Sequence, residues 1–361
     1  MVSDTIVVIG GGPGGLRAAR GIAEVGGKVL LIEQREFLGG TPVAERYCGL
    51  TPRGEPAQPQ IRKMIDEVTA SPLIGVRLGT ELAGMTGEPG AFTLTLRHAV
   101  QAEVQTAREE TIECGAIIIA TGFSHFDPGR STQMYGYYEF PDVITQADLE
   151  AMLSERRVLR PSNGQPPERV CFIQCVGSRD RQIGNEYCSK VCCAVASKEA
   201  IEIRELLPDS KVLIFYIDMR MYGYWENEIY WPAQEKHHVQ YVKGLITEVL
   251  PKGDRLLVRG EDTTMGRPME VPMDLVVLSV GMEPSSGTRE LVGLLGVKAN
   301  RYGFIDAEGA PLDPVSTDRE GIFACGAALG PADLEDTVSS AAGAALKAVG
   351  YLRSRTLAVG S

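Results

Sequence analysis

Nowhere in its 361 residues does the chain carry an apolar run approaching the roughly 20 residues that span a bilayer. It opens on TIVVIGGG with no basic segment and no cleavage site before it, so a secretory leader is not expected. Positive charge is scarce: 36 Lys and Arg stand against 47 Asp and Glu, a net charge of -11. That excludes a nucleic-acid surface and an anionic-membrane surface as the expected partner. No low-complexity segment is present, and 44% hydrophobic residues suffice for full-sized cores. The eight cysteines are unevenly clustered in a long chain. Such usage suits metal or redox chemistry in a reducing cytoplasm more than structural disulfides. A cytoplasmic location, without direct membrane insertion, is the expectation.

Two cysteine patterns are also missing. The C-x2-C-x2-C-x3-C run of bacterial ferredoxins does not occur, and neither does C-x-x-C, which disfavours a thioredoxin-reductase-like dithiol. What occurs is Cys175, Cys188, Cys192 and Cys193, spaced C-x12-C-x3-C-C inside CVGSRDRQIGNEYCSKVCC.

The pattern of the chain explains why that place matters. Ile6 to Ile9 reads as a strand buried on both faces, Leu16 to Val25 as a helix, and Lys28 to Ile32 as a second strand ending at Glu33. Gly39 to Pro59 reads as an irregular loop, residues 91–118 as strands returning to AIIIATG, and 137–160 as a crossover with a short helix. At Arg169 the pattern restarts: strand Val170 to Ile173, the cysteine stretch, helix Ala194 to Leu207, strand Val212 to Ile217. Residues 239–280 are strand-rich, and a helix from Asp333 to Leu352 ends the tail. The expected fold is α/β, with two doubly wound dinucleotide-binding-type domains of the glutathione or thioredoxin reductase kind. The first takes residues 1–140 and 282–361, and the second, residues 141–281, is inserted in it. The second unit lacks G-x-G-x-x-G, and the cysteines occupy its phosphate-loop position.

In the first unit Gly10, Gly12 and Gly15 do form G-x-G-x-x-G, with Pro13 and Gly14 between them. The first glycine permits the tight turn. The second lets the backbone approach a pyrophosphate, and the third lets helix and strand pack closely. Glu33 ends the next strand, where a carboxylate accepts both hydroxyls of the adenosine ribose, and Gln34 follows it. Two segments favour FAD over NAD. Ala120, Thr121 and Gly122 end a buried strand, as in FAD enzymes of the glutathione reductase type. Thr317 precedes GIFACGAALG, which resembles the flavin-contacting strand of that superfamily; the usual Gly-Asp is here Gly326-Ala327, so a carboxylate is missing. The small-residue helix that follows offers amides around Thr337 and Val338 to the flavin pyrimidine edge. Gly40, Thr41 and Leu82 complete the expected FAD contacts. No histidine or cysteine sits in a covalent-flavin motif.

Four thiolates suffice for an iron–sulfur cubane, and they also suit a zinc ion. A redox-active vicinal pair at Cys192-Cys193, or buried free thiols, are the other readings of the same residues. Cys114, Cys171 and Cys325 read as core, and Cys48 as a free thiol or an extra ligand. Phe215 to Trp231 reads as an interface or core in preference to an electron route or substrate wall, His237 and His238 as surface, Asp218 with Arg220 as an ion pair, and Ser178 and Arg179 as organisers of the cysteine loop.

VIGGGPGGLRAA, IEQREFLGG, CVGSRD with YCSKVCC, FYIDMRMYGYWENEIYWPAQ and GIFACGAALGPADLEDTVSSAAGAA together resemble the A subunit of heterodisulfide reductase, over nearly the whole chain. That resemblance implies a thioredoxin-reductase-like FAD core with a nearby [4Fe–4S] cluster held by Cys175, Cys188, Cys192 and Cys193. It makes Arg220 a further candidate. It implies a homodimer core, other heterodisulfide reductase-like subunits and small electron carriers as partners, and thiol, disulfide or sulfur metabolism as the setting. The departures are specific. Extra ferredoxin domains are absent, TPVAERYCGLTP keeps only Cys48, and Gly330-Pro331-Ala332-Asp333 stands where many members have a lysine, which bears on electron bifurcation. The short form is similar to subunits of sulfur-oxidising bacteria. The competing functions are a stand-alone NAD(P)H-dependent disulfide or ferredoxin reductase, and a redox-responsive scaffold.

Overall fold

The computed structural model describes residues 3–51, 54–98, 108–130, 135–309 and 311–359. They form two compact units.

The first unit is built on a five-stranded parallel sheet. Its order is Ile322–Ala324, Ala116–Ile119, Thr5–Ile9, Lys28–Ile32, Ile74–Arg77. Four of these strands are almost wholly apolar, as strands covered on both faces must be. Helices Pro13–Glu24 and Leu334–Val359 cover one face. Alanines 341, 344, 345 and 348 meet Ala18, Ala19 and Ile22 in that core. Small residues let the two backbones come close: a Cβ on Gly21 would lie 3.3 Å from that of Ala345. On the other face, Phe92, Leu94 and Leu96 of an antiparallel three-stranded sheet pack with helix Ser286–Leu295.

The second unit is a seven-stranded sheet in the order Val143–Thr145, Leu275–Val280, Arg169–Val176, Lys211–Tyr216, Gln240–Lys252, Arg255–Asp262, Arg267–Met273. The last two strands join antiparallel and the rest are parallel. Helices Gln146–Ser154 and Cys192–Leu206 pack on one face, with Leu149, Ala196, Ala200 and Ile203 against Val170, Phe172, Leu275 and Val277. The short helix begins at a reciprocal cap between Thr145 and Asp148.

The boundaries differ from the sequence reading. Residues 125–130 and 135–140 cluster with the second unit, and so does the excursion Glu45–Gln58. The reasons are local. The Phe126 N–H donates to the Gly281 carbonyl at 2.8 Å, and its ring is buried with Ile173 and Val280. In the excursion, the Cys48 N–H donates to Glu150 at 2.8 Å, and Lys198 donates to the Gly49 carbonyl at 3.2 Å. The loop expected over Gly39 to Pro59 also holds more structure than its glycines and prolines suggested. It contains the turn of helix Thr41–Ala44 and a small bridge, and helix Ala57–Thr69 begins before its end.

Candidate functional site

In the first unit the glycine turn follows strand Thr5–Ile9 and opens helix Pro13–Glu24. Gly10 has φ +112°, and a Cβ there would lie 2.4 Å from the Ala120 carbonyl oxygen. A Cβ on Gly15 would lie 1.7 Å from the Gly10 oxygen. Both positions are closed to any other residue by the chain itself. Gly12 is different. Its φ is -76°, and a Cβ would meet no protein atom nearer than the Gly40 Cα at 3.7 Å. Open space over a glycine at a helix start is where a phosphate approaches backbone N–H groups that the helix leaves unused. Pro13 sets the first helical residue, and helix cap Gly12 supplies no side chain to take those donors.

The other expected contacts assemble around this turn. Glu33 is buried; its Oε2 accepts from the Gly11 N–H at 2.6 Å and its Oε1 from the Arg35 N–H at 2.8 Å. Each oxygen keeps a second lone pair for a ribose hydroxyl. Gly40, at φ +61°, brings its own Cβ position to 2.8 Å from the Gly12 Cα. Thr337 stands between two motifs: its Cγ2 lies 3.2 Å from a Cβ on Gly14 and 2.9 Å from one on Gly326. The Gly326 N–H donates to Ser340 Oγ at 2.9 Å, and Ala327 is buried beside it in a single turn. Thr121 Oγ1 and Thr288 Oγ1 share a 2.6 Å hydrogen bond, and Gly122 has φ +67°. Gln34 is exposed, Thr41 starts its short helix, Val338 lies in the first turns of the long helix, and the Leu82 side chain is in the core. One expectation changes. The Thr337 N–H is already given to the Asp333 carbonyl at 3.0 Å, because Asp333 caps the long helix through its Oδ1 to the Asp336 N–H at 2.7 Å. Thr337 therefore offers its side chain and not its amide.

In the second unit the cysteine loop begins with strained backbone. Cys175 has φ +64°, Arg179 +57° and Lys190 +66°. Left-handed backbone in non-glycine residues is uncommon, and three cases fall within one loop. The Cys175 distortion coincides with the register shift between Ile173 and Val176 against strand Leu275–Val280. The loop then closes on itself: Arg179 N–H to Tyr187 O at 2.9 Å, Asp180 N–H to Asn185 O at 2.9 Å, Asn185 Nδ2 to Gly177 O at 3.0 Å. Buried Ser189 accepts from the Met282 N–H at 2.9 Å. Helix Cys192–Leu206 starts at the vicinal pair.

Three of the four sulfurs meet main-chain polar groups. Cys188 Sγ accepts from the Lys190 N–H at 3.3 Å, and Cys193 Sγ from the Arg220 N–H at 3.5 Å. The Cys192 thiol points at the Val280 carbonyl and the Cys193 thiol at the Asp218 carbonyl, each at 3.9 Å. Burial raises the Cys175 thiol to about 11, the neighbouring Cys193 adds to this, and the Arg179 guanidinium opposes it. Burial also lifts Cys192 and Cys193, and Cys192 feels the charges of the other three. Cys175, Cys192 and Cys193 are thus thiols that must give up protons before they can bind a metal. Among the described residues, no three His, Cys, Asp or Glu side chains close on one point as a single metal ion requires. Tetrahedral zinc needs its ligands at about 2.3 Å. A cubane puts each thiolate on a different iron, so its thiolates stand further apart than those on a single zinc ion.

The remaining cysteines are placed as core. Cys171 is fully buried in its strand, and burial holds Cys114 and Cys325 up at about 12. Cys48 is half-buried, raised to about 11 by burial and by Glu202. Asp218 pairs with Arg179 at 2.7 Å and not with Arg220 as expected; that guanidinium holds its carboxyl below the usual range. Arg220 contributes its backbone instead. Of the aromatic stretch, Phe215 and Trp225 are buried, while Tyr222, Tyr224 and Trp231 are exposed. Trp225 packs with Met221, Ile229 and Cys193 itself.

The sequence reading missed a buried ionic group. Lys198 pairs with Glu150 and lies 3.4 Å from Glu202, while Gln146 donates to Glu199 at 3.2 Å. Its only signal was charged residues at helical positions that Ala196, Ala200 and Ile203 mark as inward.

Residues 4–159 match the family model of pyridine nucleotide-disulphide oxidoreductases. The A subunit of the H(2):CoB-CoM heterodisulfide,ferredoxin reductase of Methanothermobacter thermautotrophicus is 40% identical over 250 residues, 68% of this chain and 38% of that protein. The second of two iron-sulfur A subunits of the CoB--CoM heterodisulfide reductase of Methanopyrus kandleri is 31% identical over 443 residues, 99% of this chain and 66% of that protein. The chain thus spans 38% of the first of these relatives. Among solved structures, thioredoxin reductase of T. acidophilum superposes with a TM-score of 0.63 at 18% identity, covering 98% of this chain and all of that one, which fixes the fold as thioredoxin-reductase-like.

Proposed function

Because the chain belongs to the family of heterodisulfide reductase A subunits, we propose that it is an oxidoreductase subunit carrying FAD and a [4Fe–4S] cluster within a heterodisulfide reductase-like complex. When bound, these groups supply two-electron and one-electron redox chemistry respectively. One observation carries the reading. Of the two doubly wound units, the first keeps a glycine turn with open space over Gly12, and the second carries in that place a loop with Cys175, Cys188, Cys192 and Cys193.

Each residue has a definite task in this reading. Gly12 admits the pyrophosphate, the start of helix Pro13–Glu24 stabilises its charge, and Glu33 holds the ribose. Gly326 and Thr337 border the flavin end. Cys175, Cys188, Cys192 and Cys193 hold the iron. The Lys190 and Arg220 N–H groups, already directed at sulfur, and the Arg179 guanidinium offset its negative charge. Thiol, disulfide or sulfur conversion by partner subunits is the proposed setting, with a homodimer at the core. Among the described residues no helix is long and apolar enough to cross a membrane.

The test is analysis of anaerobically purified and reconstituted protein for FAD, iron and acid-labile sulfide. The reading requires all three, with FAD released on denaturation. Full reduction of the flavin by NADH or NADPH alone would instead favour the stand-alone reductase.

A further inference from the structure

Buried polar side chains are almost always hydrogen-bonded, and an unpaired one costs stability. Among the described residues, Gln174 breaks this rule completely: neither its Nε2 nor its Oε1 has a partner, though the residue is only 7% exposed. Ser279, at 0% exposure, has an unpartnered Oγ as well. Ile173 and Leu278 are in register on adjacent parallel strands, Gln174 and Ser279 follow them, and the register shifts there, so that Val176 next pairs with Val280. Side chains alternate along a strand. Val170 and Phe172, like Leu275 and Val277, belong to the core under helix Cys192–Leu206, which puts Gln174 and Ser279 on that same face.

Their position along the strands is as telling as their face. Both lie at the strand ends where helix Cys192–Leu206 begins. Gln174 immediately precedes left-handed Cys175. Ser279 immediately precedes Val280, whose carbonyl faces the Cys192 sulfur at 3.9 Å. Gln174 thus precedes one cysteine of the loop, and Ser279 precedes the residue whose carbonyl faces another.

We propose that Gln174 is a positioning residue for the iron–sulfur group of the cysteine loop, donating its amide N–H to a cluster or cysteine sulfur, and that Ser279 orients that amide. The proposal rests on the reading of the four cysteines as cluster ligands. Its chemistry follows from the groups present. Sulfur ligands only accept, so the NH2 end must face them. Oε1 then needs a donor, and the Ser279 hydroxyl, itself unpartnered on the next strand, would turn to supply it once the group is bound. Hydrogen bonds to cluster sulfurs stabilise the reduced, more negative state and raise the reduction potential.

The experiment measures the cluster's midpoint potential and its reduced-state EPR spectrum in wild type, Gln174→Met, Ser279→Ala and Ser279→Thr, all reconstituted anaerobically. Methionine keeps the length of glutamine and removes the donor. The expected shift for Gln174→Met is about tenfold in the reduction equilibrium, or about 59 mV more negative for one electron. Ser279→Ala shifts the same way by less, and Ser279→Thr, which keeps the hydroxyl, restores the wild-type value. A purely structural role would change iron content or melting without this pattern. A cluster present in all four proteins at one potential overturns the inference and leaves the function standing. Wild-type protein that takes up no iron overturns the function itself.

Discussion

Gly12 and Gly15 share one motif but are glycine for different reasons. A Cβ at Gly15 collides with the Gly10 carbonyl at 1.7 Å, so Gly15→Ala damages the turn itself. A Cβ at Gly12 meets nothing in the chain within 3.7 Å. Gly12→Leu therefore leaves the apoprotein's melting temperature near that of wild-type apoprotein while abolishing the bound yellow colour. Gly15→Ala lowers the apoprotein melting temperature as well. Circular dichroism melts beside an absorbance spectrum distinguish the two. This turn was legible in the sequence because its constraint is local: strand, three glycines, helix, then Glu33. Gln174 and Ser279 were not, since a polar residue near a strand end reads the same whether it faces solvent or a buried site. Only the folded sheet reveals their burial.

Helix Cys192–Leu206 joins two kinds of chemistry along one inward stripe. Its first turn presents thiols, and two turns on it buries Lys198 and Glu199. Lys198 is the cation among Glu150, Glu199 and Glu202, and it also holds the Gly49 carbonyl. Lys198→Met strands those carboxylates and lowers stability by about 3–5 kcal/mol, read as a lower denaturant midpoint for the second unit. Glu199 gives a pH signature. Burial, and then Glu150, push its pKa well above 4.5. A raised folded-state pKa contributes stability that is complete below about pH 4.5 and is lost as pH rises toward the folded value. Wild-type stability therefore falls with rising pH over that range, and Glu199→Gln flattens the fall; urea midpoints from pH 5 to 8 show it. The helix itself was legible from its periodicity. The attachment of residues 45–58 to it was not, because a loop tethered by Cys48 N–H and Gly49 O to partners 102 and 149 positions away leaves no local pattern.

At the scale of the whole chain, one doubly wound unit keeps a glycine turn and the other has cysteines in its place. The repeat of strand, loop, helix and strand from Arg169 was readable because each strand is a short apolar run. The boundary between units was not, since residues 125–130 are fixed by contacts such as Phe126 N–H to Gly281 O. The exchange predicts that NADH and NADPH leave the bound flavin oxidised while dithionite reduces it, in anaerobic absorbance titrations. Bleaching by either nucleotide would restore the stand-alone reductase. The most direct measurement is iron and acid-labile sulfide in anaerobically reconstituted protein, compared with Cys→Ser variants at positions 175, 188, 192 and 193 and with Cys171→Ala. The account predicts iron and sulfide in equal amounts in wild type and Cys171→Ala, their loss or marked depletion in each of the four serine variants, and FAD retained in all six. Zinc in place of iron, or undiminished iron in all four serine variants, would contradict it.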